Sequence, residues 1–358
     1  MKSTPARSWA GKADVRVLLT ADPELAVPPV TYGGIERVID LLVRALRQRG
    51  HQVGLVASSA STCAADDVFA WHGARSGRVL DTIANLRQLS GIVSRFAPQV
   101  LHSFSRLMYM APQLFARLPK VMSYQRQPTA RTVRWASRLA GDTLVFTGCS
   151  KFISKAGARA GGSWRAIHNP VDVDRLAFRA SVAADAPLVF LSRVERIKGA
   201  HTAIAVARRL GRRLIIAGNR AMDGPERLYW AREIEPQLQP GVIEYAGEVN
   251  DAQKADLLGS AAAMIVPVEW EEPFGIVFAE ALACGTPVIS SPRGALAEIV
   301  THGVEGFLVN SIDEACEAVA RIGEIDRQAC RRRAVEHFSA EVIASRYDRL
   351  YAERAGAA

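Results

Sequence analysis

Short apolar runs alternate with longer stretches of helical periodicity along most of the chain. The runs have no polar face, which is typical of strands buried on both sides of a parallel sheet. In the first half, this pattern predicts strands at Val15–Thr20, Gln52–Ala57, Gln99–Phe104, Val121–Tyr124 and Thr143–Ser150, helices at 35–46, 79–96 and 131–140, and a loop at 60–75. Strands that alternate with helices in this way predict a doubly wound α/β sheet.

The same alternation begins again at residue 187, after a stretch at 173–186 that has the character of a linker. It predicts strands at 187–192, 213–219, 243–248, 262–268, 287–291 and within 303–310, and helices at 201–210, 251–259, 275–284, 313–323, 327–337 and 340–354. The chain has 358 residues, enough for two domains of roughly 150 residues each. We therefore predict one α/β domain at 14–175, a second at 186–336 and a final helical segment at 337–355.

The helix predicted from Gly275 onward is apolar at every position except Glu280. Such a helix is buried, so either an ion pair with a core arginine or a bound ligand has to compensate this carboxylate. Glu272 stands eight residues upstream and is followed by Pro-Phe-Gly. The amides of Phe274, Gly275 and Ile276 then lie at a helix N-terminus, which favours an anion. Carboxylates that accept from hydroxyls, beside amides that donate to an anion, suit a nucleotide sugar.

With this spacing, Glu272-x7-Glu280 around Pro-Phe-Gly resembles the signature of the retaining glycosyltransferases of the GT-B fold, above all family 4. The resemblance implies two Rossmann-like domains that face each other across a cleft, with a final helix that returns to the first domain. It implies that Glu280 holds the ribose hydroxyls of the donor nucleotide. It further implies that Glu272 and the amides after it hold the transferred sugar, and that no metal is needed.

Two cations follow the first strand of the second series. Arg193 stands just after this strand and Lys198 just before the next helix, at the edge where open α/β sheets bind ligands. Surface basic residues are common, but an arginine fork and a lysine charge can also bracket a diphosphate. The stretch SRVERIKG resembles the Arg-x4-Lys-Gly donor-phosphate motif of the same family, with Ser192 where glycine is usual. Gly218, at the end of the next strand, is a further family feature.

The first half offers two weaker candidates. Gly33 and Gly34, within YGGIE, place bare amides at a predicted helix N-terminus. Two glycines there are often only a turn, but YGGIE resembles the place where the family approaches the donor diphosphate. His102 lies in the C-terminal part of the strand predicted at Gln99–Phe104. A lone histidine usually has only a structural hydrogen bond, whereas the resemblance implies an imidazole that points into the cleft toward the sugar.

The sequence allows two roles for each of two further polar features. The loop at 125–131 lies at the predicted ligand edge of the first sheet, where it either contacts acceptor or phosphate or is solvated. Arg293-Gly294 stands where family members usually carry Gly-Gly. Arg293 either adds charge near the donor phosphates or faces solvent.

The net charge is +9, and arginine supplies most of the excess. This charge suits an anionic ligand, an anionic membrane surface or a nucleic acid. The one dense basic cluster, Arg331-Arg332-Arg333, is expected to be a solvated helix face. No basic stripe interleaved with aromatic residues is present, so no nucleic-acid partner is expected. Peripheral association with a membrane is compatible with this composition.

No apolar run reaches the roughly 18 residues of a membrane-spanning helix. The stretch before Val15 has no apolar segment of the signal-peptide kind, and we expect a short disordered lead. Five scattered cysteines without paired spacing indicate reduced thiols in the cytoplasm. The basic composition is compatible with a place at the inner membrane surface.

We therefore predict a glycosyltransferase that uses a UDP-, GDP-, ADP- or dTDP-linked sugar, with a glycan, a glycolipid or a natural product as acceptor. The resemblance implies that neither a cofactor nor a metal is needed, and consistently no Asp-x-Asp-like pair ends a strand and no His/Cys cluster is present. One alternative is a sugar phosphorylase or nucleotide-sugar hydrolase of the same fold. The other is a non-catalytic protein that binds an anionic ligand through its positive charge.

Overall fold

The computed structural model describes residues 14–30 and 33–356. Tyr32 of YGGIE and the lead before residue 14 lie outside this range. Within it, the strands form one seven-stranded and one six-stranded sheet, and the paired strands of both sheets run parallel. Helices cover the sheets. The two parallel sheets confirm the predicted α/β class.

The first sheet has the order β3-β2-β1-β4-β5-β6-β7. Its strands are β1 (Arg16–Thr20), β2 (Gln52–Ala57), β3 (Asp67–Ala70), β4 (Val100–Ser103), β5 (Lys120–Tyr124), β6 (Leu144–Gly148) and β7 (Ser163–Ala166). Its helices are α1 (Gly34–Gln48), α2 (Val79–Phe96), α3 (Ala130–Ala140) and α4 (Lys151–Ala158). The strand order reverses between β1 and β4, and a ligand crevice is expected at such a switch point.

The second sheet has the order β10-β9-β8-β11-β12-β13. Its strands are β8 (Leu188–Leu191), β9 (Leu214–Ala217), β10 (Ile243–Gly247), β11 (Ala263–Val266), β12 (Val288–Ser290) and β13 (Gly306–Leu308). The helices that follow β8 along the chain are α5 (Ala200–Leu210), α6 (Gly224–Tyr229), α7 (Asp251–Ser260), α8 (Ile276–Ala283), α9 (Leu296–Ile299), α10 (Ile312–Ala320), α11 (Arg327–Phe338) and α12 (Ala340–Ala355). Here the order reverses between β8 and β11.

The buried strands of both series are confirmed to within a few residues, but two edge strands were not predicted. The interpretation of 60–75 as loop is wrong at β3, which pairs with β2. The second missed strand, β7, pairs with β6. Both strands are largely exposed, so neither contains the apolar run by which a buried strand is recognised.

The chain crosses between the domains twice. It first crosses in the segment that contains Val171, and it returns between α11 and α12. The two crossings touch, because the amide of Val171 donates to the carbonyl of Phe338 at 2.8 Å and Val171 bridges to Ser339. Helix α11 packs on α8 of the second domain, whereas α12 packs on α1 of the first.

The basic cluster on α11 is not the solvated face that we expected. Arg331 donates to the carbonyls of Val173 and Leu176 in the first crossing, at 2.9 Å each. Arg333 donates to the carbonyl of Glu298 at 2.7 Å, and only Arg332 is exposed. The cluster therefore secures the chain between the domains. Among the helices described, none has the length and apolar character to cross a bilayer.

Candidate active site

A cavity of about 820 Å³ lies between the two domains. The second domain contributes the segments that follow β8, β9, β10 and β11, and the first contributes the start of α1 and the end of β5. The cavity therefore lies at the carboxyl edge of the second sheet. The predicted site residues that line it are Gly33, Gly34, Arg193, Lys198, Gly218, Glu272, Phe274, Gly275, Ile276 and Glu280.

Lys198 and Glu272 form a buried ion pair in this cavity. The ammonium of Lys198 lies 2.7 Å from Oε2 of Glu272, and each side chain is 9% exposed. The indole of Trp270 donates to the same oxygen at 3.1 Å, and its ring lies 4.5 Å from the Lys198 ammonium. Both donors use Oε2, so Oε1 is the oxygen that can accept from a sugar hydroxyl. Sequence reasoning did not identify Trp270, although it stands two residues before Glu272.

The backbone of Glu272 is held by the segment after β12. Its carbonyl accepts the amide of Ala295 at 2.8 Å. Gly294 has a φ of +62°, and a Cβ at this position would collide with the same carbonyl. Glycine is therefore required at 294, where the loop approaches the backbone of Glu272. Arg293 is exposed and does not line the cavity, which favours the solvent-facing alternative for this residue.

Glu280 has a cationic partner, but the partner is a lysine and not the core arginine that we considered. Lys254 of α7 forms an ion pair with Oε1 of Glu280. Burial by itself would lower the pKa of Lys254, but the carboxylates of Glu280 and Asp251 together outweigh burial and raise it. The pair therefore holds both charges at the cavity wall, and the second carboxylate oxygen remains available to a hydroxyl. Lys254 lies on another helix, and no sequence motif marks it.

The same ion pair connects to the first domain. Lys254 also lies 3.4 Å from Asp251, and Asp251 pairs with Arg37 of α1. A smaller cavity of about 310 Å³ lies on the other side of this group of charges, which lines both cavities. The four side chains thus join α1, α7 and α8 across the cleft.

Arg193 is placed at the cavity by a close approach of two loops. Its guanidinium donates to Glu195 at 2.5 Å, and it is about two-fifths exposed. Gly218 follows β9 with a φ of +128°, and a Cβ there would collide with the carbonyl of Ser192. Glycine at 218 therefore allows the loop that carries Arg193 to lie against the end of β9. An exposed pair such as Arg193–Glu195 is weak, so a phosphate can compete for this arginine.

Two helix N-termini meet in the cleft. Gly275 adopts a left-handed conformation, with a φ of +83°, immediately before α8. The first amides of a helix have no intrahelical acceptor, so those near Gly275 and Ile276 can donate to a ligand. Across the cleft, Gly34 begins α1, and a Cβ on it would lie 3.3 Å from the side chain of Ile276. Both helix dipoles favour an anion between the domains.

His102 does not point into this cleft, so our expectation for it is wrong. It is fully buried in the first domain, with Nδ1 2.5 Å from the hydroxyl of Tyr351 and Nε2 2.6 Å from that of Ser123. Burial lowers its pKa to about 3. The imidazole is therefore a neutral structural group that joins β4 and β5 to α12.

The first domain places other polar groups in the cleft instead. Gln125 and Arg126 follow β5 and line the cavity. Asn169, in the first crossing, donates to Gln125 at 2.7 Å. Arg126 is exposed and faces the cavity from the side opposite the second sheet. Of the two alternatives for the loop at 125–131, its first two residues favour contact with a ligand.

Glu298 of α9 holds the domains together beside the cleft. Its carboxylate accepts the amides of Lys151 and Phe152 at the start of α4, at 2.8 Å each, and lies 3.0 Å from His168. Burial would raise the pKa of Glu298, but these three partners lower it overall. A carboxylate of the second domain thus caps a helix of the first.

Two family models match the chain. The model described as "Glycosyl transferases group 1" matches residues 178–336, and the model described as "Glycosyltransferase Family 4" matches residues 32–175. Among curated relatives, the glycogen synthase of Mycobacterium tuberculosis (strain ATCC 25618 / H37Rv) is 25% identical over 388 residues. This match covers 90% of the chain and 92% of the relative.

Solved structures give the same result. AviGT4, a glycosyltransferase involved in avilamycin A biosynthesis, has a TM-score of 0.73 at 26% identity, over 96% of this chain and 99% of its own. HepE from Anabaena, solved in complex with UDP and glucose, has a TM-score of 0.73 at 17% identity, over 94% of this chain and 99% of its own. At that identity, the second likeness concerns the fold alone.

Proposed function

Because the chain belongs to the group 1 and family 4 glycosyltransferases of the GT-B fold, we propose that it transfers a sugar from a nucleotide diphosphate to an acceptor, with retention of configuration and without a metal. The glycogen synthase and the glycosyltransferase AviGT4 both match most of the chain, so neither a phosphorylase or hydrolase nor a non-catalytic binding protein is favoured. The retention of configuration, the absence of a metal and the residue roles below are parts of the proposal.

One observation carries the proposal. Around a single cavity, the fold gathers two cations, Arg193 and Lys198, and two carboxylates, Glu272 and Glu280, with two helix N-termini. The cations and the amides suit a diphosphate, and the carboxylates suit the hydroxyls on either side of it. A nucleotide sugar presents these groups in that order. HepE, which shares the fold, was solved with UDP and glucose.

In the proposed reaction, the bond between the anomeric carbon and the diphosphate oxygen breaks, and the acceptor oxygen forms the new bond on the same face of the sugar. The acceptor proton passes to the departing phosphate oxygen, so no protein nucleophile is required. Lys198 and Arg193 stabilise the negative charge that develops on this phosphate. Cations fixed in advance stabilise such charge more than water does, and Glu272 and Trp270 hold Lys198 in place.

The carboxylates position the two ends of the donor. Glu272 accepts from the hydroxyls of the transferred sugar through Oε1, and Glu280 accepts from those of the ribose. Gln125, Arg126 and Asn169 lie on the side of the cleft where the acceptor would approach. An arginine there favours an acceptor that carries a phosphate or a carboxylate.

A thermal-shift titration with UDP, GDP, ADP and dTDP, each in EDTA and in magnesium, tests the proposal. A nucleotide at about 100 times its Kd should add about 2.7 kcal/mol to the free energy of unfolding. We expect one nucleotide to act in EDTA as well as in magnesium, and the shift to disappear in Glu280→Ala. The anomeric configuration of the product, read by NMR from the scalar coupling of its anomeric proton, then tests retention. A shift that requires magnesium would contradict the metal-independent mechanism.

A further inference from the structure

The positive charge of the chain is concentrated in one part of the first domain. Residues 75–165 contain 15 lysines and arginines but only two acidic residues, Asp81 and Asp142, which gives a net charge of +13. The rest of the chain contains 30 basic and 34 acidic residues, a net charge of −4. The basic residues are spread over 91 positions, so no dense run marks them.

The fold brings many of these basic residues to one face. Helix α2, helix α3 and two short 3-10 turns between β4 and β5, Leu107–Met110 and Pro112–Phe115, pack on the same side of the first sheet through a shared apolar core. Helices α1 and α12 cover the other side. The outer surface of α2, the two turns and α3 is hereafter the outer face.

Arginines project from the outer face without acidic partners. On α3, Arg131, Arg134 and Arg138 are exposed, and within the described part of the chain no carboxylate forms an ion pair with any of them. Further exposed arginines of this face are Arg78, Arg87, Arg106 and Arg117. The carboxylate of Asp22 lies near Arg106, but charges of one sign in such excess attract an anionic partner.

Large apolar side chains are exposed on the same face. Val79 and Leu80 at the start of α2 are 74% and 80% exposed, and Phe115 at the end of the second turn is 73% exposed. Met108 and Trp135 are partly exposed nearby. A nucleic acid or an acidic polysaccharide would neutralise the arginines and leave these side chains in water. An anionic bilayer takes up both, because apolar side chains enter the acyl boundary while arginines remain at the headgroups.

We propose that the outer face docks this protein on the surface of an anionic lipid bilayer. The face reaches the mouth of the cleft, since Arg126 lines the cavity and the loop that carries it leads directly into α3. The docked protein would therefore hold its cleft close to the membrane surface. This proposal concerns the first domain and does not depend on how the donor is bound.

Co-sedimentation with vesicles tests the proposal. One set is phosphatidylcholine alone, and the other contains phosphatidylglycerol in addition. We expect binding to the anionic vesicles only. The triple variant Arg131→Glu, Arg134→Glu, Arg138→Glu should lower the partition coefficient by about 100-fold or more. The matched control reverses three exposed arginines elsewhere, Arg227→Glu, Arg232→Glu and Arg349→Glu, and should retain most of the binding.

A second pair of variants separates a bilayer from other polyanions. Leu80→Ser with Phe115→Ser should lower vesicle binding by about 10-fold, including at high salt, where apolar contacts are not screened. The control is Met222→Ser with Leu228→Ser, two exposed apolar residues of the second domain. Binding to a short DNA duplex should be weaker than binding to anionic vesicles and should not respond to the apolar pair.

Three outcomes would overturn the proposal. The first is that the protein does not bind anionic vesicles. The second is that the triple arginine variant and its control lose vesicle binding equally. The third is that the protein binds DNA as tightly as vesicles, and that Leu80→Ser with Phe115→Ser does not change vesicle binding. The last outcome would identify a polyanion surface. The nucleotide thermal shift is measured on every variant, where it verifies folding and keeps the donor proposal separate from this one.

Discussion

The ammonium of Lys198 lies 2.7 Å from the carboxylate of Glu272, and Trp270 donates to the same carboxylate oxygen. The ion pair is buried, so the position of each charge depends on the other. This relationship fixes a cation at the proposed position of the leaving diphosphate before any donor arrives. Preorganised charge of this kind needs no reorganisation during the reaction.

Replacing Lys198 with alanine should lower kcat by about 100-fold or more, because the growing charge on the phosphate loses its fixed cation. Glu272 would also remain buried without its partner, which costs stability. The kinetics should be measured with the donor that the nucleotide titration identifies. Lys155→Ala, which removes an exposed lysine on α4, serves as the control. Equal kcat values in the two variants would remove Lys198 from the mechanism.

The Glu280→Gln substitution should weaken nucleotide binding by about 10- to 100-fold, because a hydrogen bond from a ribose hydroxyl to a charged acceptor becomes a neutral one. Isothermal calorimetry measures this directly. Lys254→Met should have a smaller effect on affinity than Glu280→Gln, because it removes the partner and not the acceptor. Glu324→Gln, at an exposed ion pair with Arg321, should bind like the unmodified protein. If Glu280→Gln bound as tightly, the ribose assignment would fail.

His102→Ala should reduce stability and leave catalysis nearly unchanged. The substitution leaves the hydroxyl of Tyr351 without its buried partner, whereas Ser123 retains Thr147, and we expect a cost of about 1–3 kcal/mol in the free energy of unfolding. Urea denaturation measures this cost, and kcat of the folded variant should stay within about threefold of the unmodified protein. A large loss of kcat with unchanged stability would instead favour a role in the cleft.

The same histidine should make stability depend on pH. Burial lowers the pKa of His102 from 6.5 to about 3. Below pH 6.5 the unfolded chain binds a proton on this imidazole, whereas the native state does not. The contribution of His102 to the free energy of unfolding is therefore complete above pH 6.5 and is lost as the pH falls toward about 3. The free energy of unfolding should therefore decline less between about pH 7.5 and about pH 5 in His102→Gln than in the unmodified protein. His72→Gln, at an exposed histidine, should not change this decline.

Gly218→Ala should impair both stability and donor binding. A Cβ at this position would collide with the carbonyl of Ser192, and the φ of +128° is rarely adopted by residues other than glycine. We expect a loss of about 1–3 kcal/mol in the free energy of unfolding, with weaker nucleotide binding because the loop that carries Arg193 is displaced. Gly323→Ala, where no atom lies near the added Cβ, is the control. An unchanged nucleotide affinity would show that this loop is not part of the donor site.

Much of the fold could be predicted because its central strands are buried on both faces. Strand β11 is an uninterrupted apolar run and β1 has an apolar centre, and a glycine or a proline often marks where the next element begins. The edge strands β3 and β7 lack this signal, since water on one side permits polar residues. Because burial is what produces the apolar run, exposed strands lack this run and are not recognised from the sequence.

The site residues also fall into those that the sequence could predict and those that it could not. Glu272, Glu280 and Lys198 belong to short motifs, whose spacing the local chain geometry fixes. Lys254 stands 26 residues before Glu280 on another helix, so only the packing of α7 against α8 brings the two together. The direction of His102 could not be inferred, because β4 is buried on both faces and alternation then favours neither side. Its partner Tyr351 is 249 residues away in sequence.

The contact between Val171 and the Phe338–Ser339 junction has a mechanical consequence. The two segments that pass between the domains are bonded to each other at this point, and they therefore form a single hinge. A rotation of the domains about this hinge would separate Arg37 from Asp251 and Glu298 from the start of α4, and would leave the hinge contact in place. Ile276 also packs against the apolar core of the first domain, so an open cleft would lose this contact together with the two charged ones.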